Sequence, residues 1–375
     1  MKAWIIAAAV SIASPAVAEP LVYQGGEGIG AGKHVVFIAN DHEYRSEQTC
    51  PLLAKILAKH HGFRCTVLFG VDDDGYIMPG AKSVPNMDAL EDADLLFFFT
   101  RFMDLPEEQV EPLVAYLERG GPVVGVRTST HCFNGQQGQW SKLNFDYTGE
   151  DYYGGLGHQV FGLTWNKAVE GQTHYGTNHV MASRIAAVDS ASDHPILSGV
   201  QSIHAYSGAY KSQPPADANP LLEVQVLNTF EPSDDVHEGK PIVNAGWTRD
   251  SYVAPSGETK PGRVVYTSFG ASEDMVDEDA RRFLVNACLW AGGWDDSITP
   301  DLDVSIVGGY SPSPYNNMAF YYGDVVPSQL APWDSDIMPT DSKLVGLNQP
   351  KTIRKLNTIL KNRPALKAQL EQPQP

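Results

Sequence analysis

Between Lys33 and Arg127, short continuous runs of branched and aromatic residues alternate with amphipathic stretches, and this alternation restricts the fold more than any other feature of the chain. Lys33–Ala39, Arg64–Phe69, Asp94–Thr100 and Pro122–Arg127 are each too short for a helix and too apolar for a strand with one wet face. Between the first two, Leu53, Ile56, Leu57 and His60 recur at helical spacing, with Ser46 and Glu47 near the start and Gly62 as the stop. Val110, Leu113, Val114 and Leu117 make a second stripe, ended by Gly120-Gly121. Strands buried on both faces and joined by helices predict an α/β fold with a doubly wound, mostly parallel sheet.

From Thr128 to about Gly176 the chain reads as a loop-rich insertion, the kind of segment that carries function in a compact domain. Regular patterns return at Pro241–Trp247 and Arg263–Phe269, then in a helix whose Phe283, Ala287, Cys288 and Ala291 share a face before Gly292-Gly293. One α/β domain is therefore expected over 33–293. Residues 294–349 form a Pro- and Tyr-rich extension. In 350–375, Lys351, Arg354, Lys355, Lys361, Arg363 and Lys367 oppose Glu371, and Ile353, Leu356 and Leu360 supply an apolar stripe, so a basic helical tail is expected to pack on its own acidic body.

Lys and Arg number 27 against 45 Asp and Glu in 375 residues, a formal net charge of −18 that repels polyanions, so no nucleic-acid partner is expected. Lys2, the apolar run Trp4–Ala13 and the small residues of Ala16-Val17-Ala18 have the layout of a secretory leader. Residues 1–18 are thus expected to be a signal peptide cleaved after Ala18, and the mature chain to be exported, periplasmic or secreted. Ser11, Ser14 and Pro15 interrupt the run before it is long enough to cross a bilayer, and no later stretch is long enough, so no membrane span is expected. Export permits disulfides, yet Cys50, Cys65, Cys132 and Cys288 fall in core-like segments and read as buried thiols.

In an open parallel sheet, ligands bind beyond the carboxyl ends of the strands. Here those ends read Asp41-His42-Glu43-Tyr44-Arg45, Thr100-Arg101-Phe102 and Arg127-Thr128-Ser129-Thr130-His131. Three arginines, a carboxylate and a histidine around one cleft suit a polyhydroxylated or carbonyl-bearing ligand and the movement of a proton. Bland alternatives stay open: Arg45 as a solvated charge, Arg101 and Arg127 emerging at the sheet rim in ion pairs with Asp104 or Glu43, and His131 as a satisfied core histidine. His158, His174, His179 and His194 lie in irregular sequence without a short metal-binding spacing, so the metal question stays open, a divalent ion having no spacing behind it. No cofactor is expected.

The motifs DHEYRSE (Asp41–Glu47), FTRFMDLP (Phe99–Pro106), GVRTSTHCF (Gly125–Phe133), GGLGHQVFG (Gly154–Gly162), HPILSG (His194–Gly199) and GRVVYTSFGA, with the closing FLVNACLWAGG, together resemble the exported branch of the ThuA-like, trehalose-utilisation family. The resemblance implies the flavodoxin-like sheet of the class I glutamine amidotransferases. It does not imply glutaminase activity, because Arg127 stands at the turn where those enzymes place their cysteine and Cys132 lies beyond it.

It does imply carbohydrate catabolism, with a small carbohydrate as ligand, a homo-oligomer being left open. Relatives occur beside enzymes that make keto-sugars and act on them by proton abstraction next to a carbonyl. On that reading Glu43 or His131 moves the proton and Arg101 and Arg127 stabilise the developing oxygen. His42, Tyr44, Arg45, Thr128, Thr130, Tyr153, His158 and Trp165 would bind the sugar. The alternatives are a non-catalytic sugar-binding protein, stacking pyranose faces on Trp140, Trp165, Tyr152 and Tyr153, and a metal-assisted hydrolase using the loop histidines.

Overall fold

Val35, Phe37 and Ala39 are buried on one face of a central sheet and Val36 and Ile38 on the other, as continuous apolar strands require. The computed structural model of the chain describes residues 18–165, 173–175, 181–315, 321–339 and 344–345, with residues 357 and 361. All but Ala18 of the signal peptide expected at 1–18, and most of the expected basic tail, lie outside the described residues.

The strands are β1 (Leu21–Gln24), β2 (His34–Asn40), β3 (Arg64–Phe69), β4 (Leu95–Thr100), β5 (Val123–Val126), β6 (Thr173–Tyr175), β7 (Ser183–Ala187), β8 (Ile203–Ala205), β9 (Ala209–Lys211), β10 (Asn219–Val226), β11 (Val243–Val253), β12 (Thr259–Thr267), β13 (Tyr321–Tyr322) and β14 (Leu344–Val345). The α-helices are α1 (Ser46–His61), α2 (Glu107–Glu118), α3 (Gly155–Phe161) and α4 (Glu278–Ala291).

The main sheet runs β1-β3-β2-β4-β5-β12-β11-β10-β7-β8. Its centre, β3-β2-β4-β5-β12, is parallel, and in chain order those five strands lie 2-1-3-4-5, the flavodoxin arrangement. The flanks are antiparallel: β1 on β3 at one edge, and β11, β10, β7 and β8 beyond β12. These flanking strands depart from the expected pattern. The segment expected at Pro241–Trp247 is the start of a strand that continues to Val253, and its partner begins at Thr259, before Arg263, because the two form one hairpin.

The connecting helix α1 ends where Gly62, at φ 83°, lets its own N–H and that of Phe63 turn back to the Ala58 and Leu57 carbonyls. α1 and α4 cover one face of the sheet, and Val304, Tyr315, Val325 and Leu330 of the extension join the same apolar cluster. α2 and α3 cover the other face through Val110, Leu113, Leu156 and Val160. All four cysteines are free and buried.

The segment after Thr128 holds more order than its composition suggests. It makes a tight turn over Arg127–His131, and α3 sits directly on that turn. A Cβ at Gly157 would stand 1.9 Å from the Thr130 carbonyl oxygen, so only glycine allows this approach.

Candidate functional site

The strand order reverses between β2 and β4, so the turns leaving these strands border one crevice. Asp41 shapes the first turn: its Oδ1 accepts the Glu43 N–H at 2.7 Å and the Tyr44 N–H, and its Oδ2 accepts the Thr128 hydroxyl at 2.6 Å. The Asp41 N–H in turn donates to Ser46 Oγ at 2.8 Å. Arg45 then adopts φ 64° before α1 and donates from Nη2 to the His42 carbonyl at 2.7 Å, so the turn closes on itself.

That geometry sets Glu43 against Arg101, which leaves β4. Arg101 Nη2 lies 3.2 Å from Glu43 Oε2, and Nη1 donates to His42 Nε2 at 2.7 Å. Burial and the Arg101 guanidinium push the His42 imidazole down to about 4, so it is neutral near pH 7 and accepts the arginine's proton at Nε2. Phe102, at φ 50°, lays its ring 4.6 Å from the Arg101 guanidinium carbon and 5.2 Å from the His131 ring. His131 is also flanked by Trp165 at 5.3 Å and Tyr210 at 6.4 Å, and its Nδ1 meets Thr130 Oγ1 at 3.1 Å. Glu43, His42, Arg101, His131 and Trp165 thus gather around Phe102 and Tyr210.

Arg127 behaves differently from the rim arginine the sequence suggests. It is 0% exposed, at φ 47°, with its guanidinium between the Tyr44 ring at 3.7 Å and the Tyr210 ring at 4.7 Å. Its Nη1 donates to Ser207 Oγ at 2.8 Å, the Gly208 carbonyl at 2.9 Å and the Ser268 carbonyl at 2.7 Å. The Ser207 hydroxyl donates onward to Asp274 Oδ2 at 2.6 Å, which places the balancing carboxylate one residue away. Arg127 therefore ties strand ends together behind the crevice and pairs with neither Asp104 nor Glu43.

Arg45 is likewise buried, next to Glu47 at 3.5 Å, and not a solvated charge. Tyr44, Thr128 and Thr130 are buried and engaged in the turn, so they position its backbone and do not line an open surface. Burial holds the phenols of Tyr44 and Tyr210 protonated.

Tyr153 and His158 stand at the start of α3, edge to face with ring centroids 6.1 Å apart, and burial together with Arg249 lowers the His158 imidazole. The described contacts do not bring this pair into the Glu43–Arg101–His42 group. Tyr152 is buried with its hydroxyl on the Val253 carbonyl, and Trp140 lines a separate cavity, so neither offers a stacking face here.

Among the loop histidines, His194 packs on Trp290 and His158 on Tyr153. Among the described residues no three His, Cys, Asp or Glu side chains form a group able to hold a metal ion; His179 and the side chain of His174 lie outside them. Among the described residues no helix is long and apolar enough to cross a membrane.

Asp41 and Phe102 stand in the strand-end segments without a role of their own in the sequence reading, and Ser207, Tyr210 and Asp274 have no role in it. Asp274 follows the end of β12, and the rule that singled out the other strand ends applies to it equally.

The model of the ThuA family, described as trehalose utilisation, matches residues 34–291. The chain belongs to the ThuA family. That membership gives it a carbohydrate-related role. No curated protein matches it in sequence. Similar solved structures include a ThuA-like protein from Parabacteroides merdae at 13% identity and TM-score 0.41, covering 76% of this chain and 96% of that one. Another is a GMP synthase component from Thermoplasma acidophilum at 9% identity and TM-score 0.36, covering 71% and 95%. A third is the glutaminase domain of a Trypanosoma brucei CTPS with bound acivicin, at 11% identity and TM-score 0.32, covering 72% and 98%.

In this ThuA member the turn after β5 carries Arg127 with its side chain turned inward, and Cys132 is buried with its thiol pushed up by desolvation. Burial thus disfavours the thiolate form that a nucleophilic cysteine needs.

Proposed function

We propose that this ThuA-family chain acts on a sugar or keto-sugar by moving a proton next to a carbonyl, in an isomerase, lyase or hydratase type of reaction. The observation that supports it is the contact between Glu43 and Arg101 at the strand-order reversal. Carbonyl-adjacent proton transfer needs a base for the C–H proton and a cation for the charge that moves onto the carbonyl oxygen. Here the two sit side by side.

A substrate oxygen that takes the Arg101 guanidinium loosens its hold on the Glu43 carboxylate, which raises the carboxylate's affinity for a proton. Glu43 then accepts the proton from carbon, the bonding electrons pass to the oxygen held by Arg101, and return of the proton completes the exchange. His131, held by Thr130 at Nδ1 and next to Phe102, serves as the second proton carrier. Neutral His42 keeps Arg101 oriented, and Phe102 and Trp165 supply apolar faces for the ring. No cofactor takes part in these steps.

We also propose that the chain is exported after cleavage behind Ala18, which would place this chemistry on sugars outside the cytoplasm.

The test is incubation of the mature chain in deuterium oxide with glucosides and their 3-keto derivatives, followed by proton NMR. Loss of the signal beside the carbonyl, or conversion, supports the reading. Ligand-induced stabilisation with no exchange across the panel contradicts it and makes the chain a sugar-binding protein.

A further inference from the structure

We propose that Tyr315, in the extension beyond the ThuA-matched residues 34–291, is a positioning residue for Glu43, acting through the stack of its ring on Tyr44. The proposal deepens the Glu43–Arg101 reading and rests on it for what the turn does.

Tyr44 lies between Glu43 and Arg45 in the turn after β2 and is 0% exposed. Its ring carries the Arg127 guanidinium at 3.7 Å and meets the Tyr210 ring edge-on at 6.4 Å. Tyr315 adds a stacked contact, with centroids 5.4 Å apart and planes 20° from parallel. A buried ring packed by three partners has little room to move, and a shift of it is passed along the peptide to the neighbouring residue. Glu43 needs that restraint, because its carboxylate has to stay within reach of Arg101.

The extension is itself tied to the same turn. Ser272, just after β12, donates its N–H to the Tyr44 carbonyl at 3.1 Å and its hydroxyl to the Ser313 carbonyl at 2.9 Å, and its own carbonyl accepts the Tyr310 hydroxyl at 2.5 Å. Gln48, in the first turn of α1, accepts the Ser313 N–H at 2.9 Å and donates to Ser313 Oγ at 2.8 Å. Glu273 Oε2 accepts the Tyr315 N–H at 3.3 Å. Pro312 and Pro314 have no N–H to satisfy and fix φ on either side of Ser313, so the segment loses little freedom when it is laid down here. These bonds fix where the Tyr315 ring falls.

The experiment places Tyr315→Leu, which keeps an apolar side chain but not the ring, in the full mature chain. Two signals are followed: the His42 ring resonance, assigned by its loss in His42→Gln, and deuterium exchange beside the carbonyl of a 3-keto-glucoside. Burial and Arg101 hold the His42 imidazole at about 4, and in Tyr315→Leu it should titrate roughly one pH unit higher as the turn loosens. Exchange at saturating keto-sugar should fall about tenfold or more with little change in KM. Tyr315→Phe should restore both. Tyr252→Phe, which loses two buried hydrogen bonds on the other face of the sheet, should lower the unfolding midpoint without moving His42. An unmoved His42 in Tyr315→Leu overturns the inference. Should that variant fail to fold, Ser272→Ala, which removes only the hydroxyl bond to Ser313, decides by the same signal. Absence of exchange in the wild type contradicts the proton chemistry and leaves the His42 titration to decide this inference.

Discussion

Asp274 reaches Arg127 through a single hydroxyl: Ser207 Oγ donates to Asp274 Oδ2 at 2.6 Å and accepts from Arg127 Nη1 at 2.8 Å. Asp274 Oδ2 also takes the Gly270 and Ala271 N–H groups, so one carboxylate binds the end of β12, the Ser207 turn and the arginine at the end of β5. This unit is structural support for the crevice.

Arg127→Met should therefore cost stability. It leaves the Gly208 and Ser268 carbonyls and the Asp274 carboxylate without their shared cation, a loss of about 3–5 kcal/mol by analogy with broken buried pairs. Ser207→Ala, which removes only the bridge, should cost about 1–3 kcal/mol. Urea unfolding midpoints check both, and an unshifted midpoint in Arg127→Met would refute the supporting role.

Gly157→Ala should lift α3 from the Arg127–His131 turn, because its Cβ would overlap the Thr130 carbonyl. Overpacking of a rigid backbone contact costs about 1–3 kcal/mol. The tryptophan beside His131 should report the displacement, and thermal unfolding the cost.

Glu47 and His42 pull stability in opposite directions with pH. Burial raises the Glu47 carboxyl to about 7, with only partial relief from Arg45. Its contribution is complete below the unfolded value of 4.5 and is lost as pH rises through about 7. His42, lowered to about 4, contributes stability above 6.5 that is lost as pH falls through about 4. Comparing the wild type with Glu47→Gln cancels His42. The wild type should lose roughly 3 kcal/mol relative to the variant between pH 4.5 and 8. Parallel stability curves would show that Glu47 titrates normally.

Expressed from its first codon in a bacterium with a secretory pathway, the chain should yield an exported product beginning at Glu19. Intact mass of the extracytoplasmic fraction checks this, and a product retaining Met1 would contradict export.

The parallel half of the sheet was legible because β2, β3, β4 and β5 are continuous apolar runs bounded by polar turns. Of the antiparallel half only the start of β11 was, for a physical reason: β10 alternates buried and half-exposed residues, and β8 is only Ile203–Ala205, too short to give a period. The strand-end rule named Glu43, His42, Arg101 and His131, which lie together around Phe102, and the ion pair weighed for Arg101 is the one with Glu43. It misplaced Arg127, since sequence adjacency to a strand end does not tell which way a residue at positive φ turns its side chain. Ser207 stayed hidden because its role depends on Arg127 and Asp274, partners far along the chain.

The central claim is that Glu43 carries a proton to and from carbon while Arg101 holds the oxygen. Its most direct test is deuterium exchange beside the carbonyl of a bound keto-sugar, measured by NMR for the wild type and Glu43→Gln at matched folding and ligand saturation. The account predicts exchange in the wild type and a loss of at least about a hundredfold in the variant. Equal exchange rates in the two proteins would contradict it.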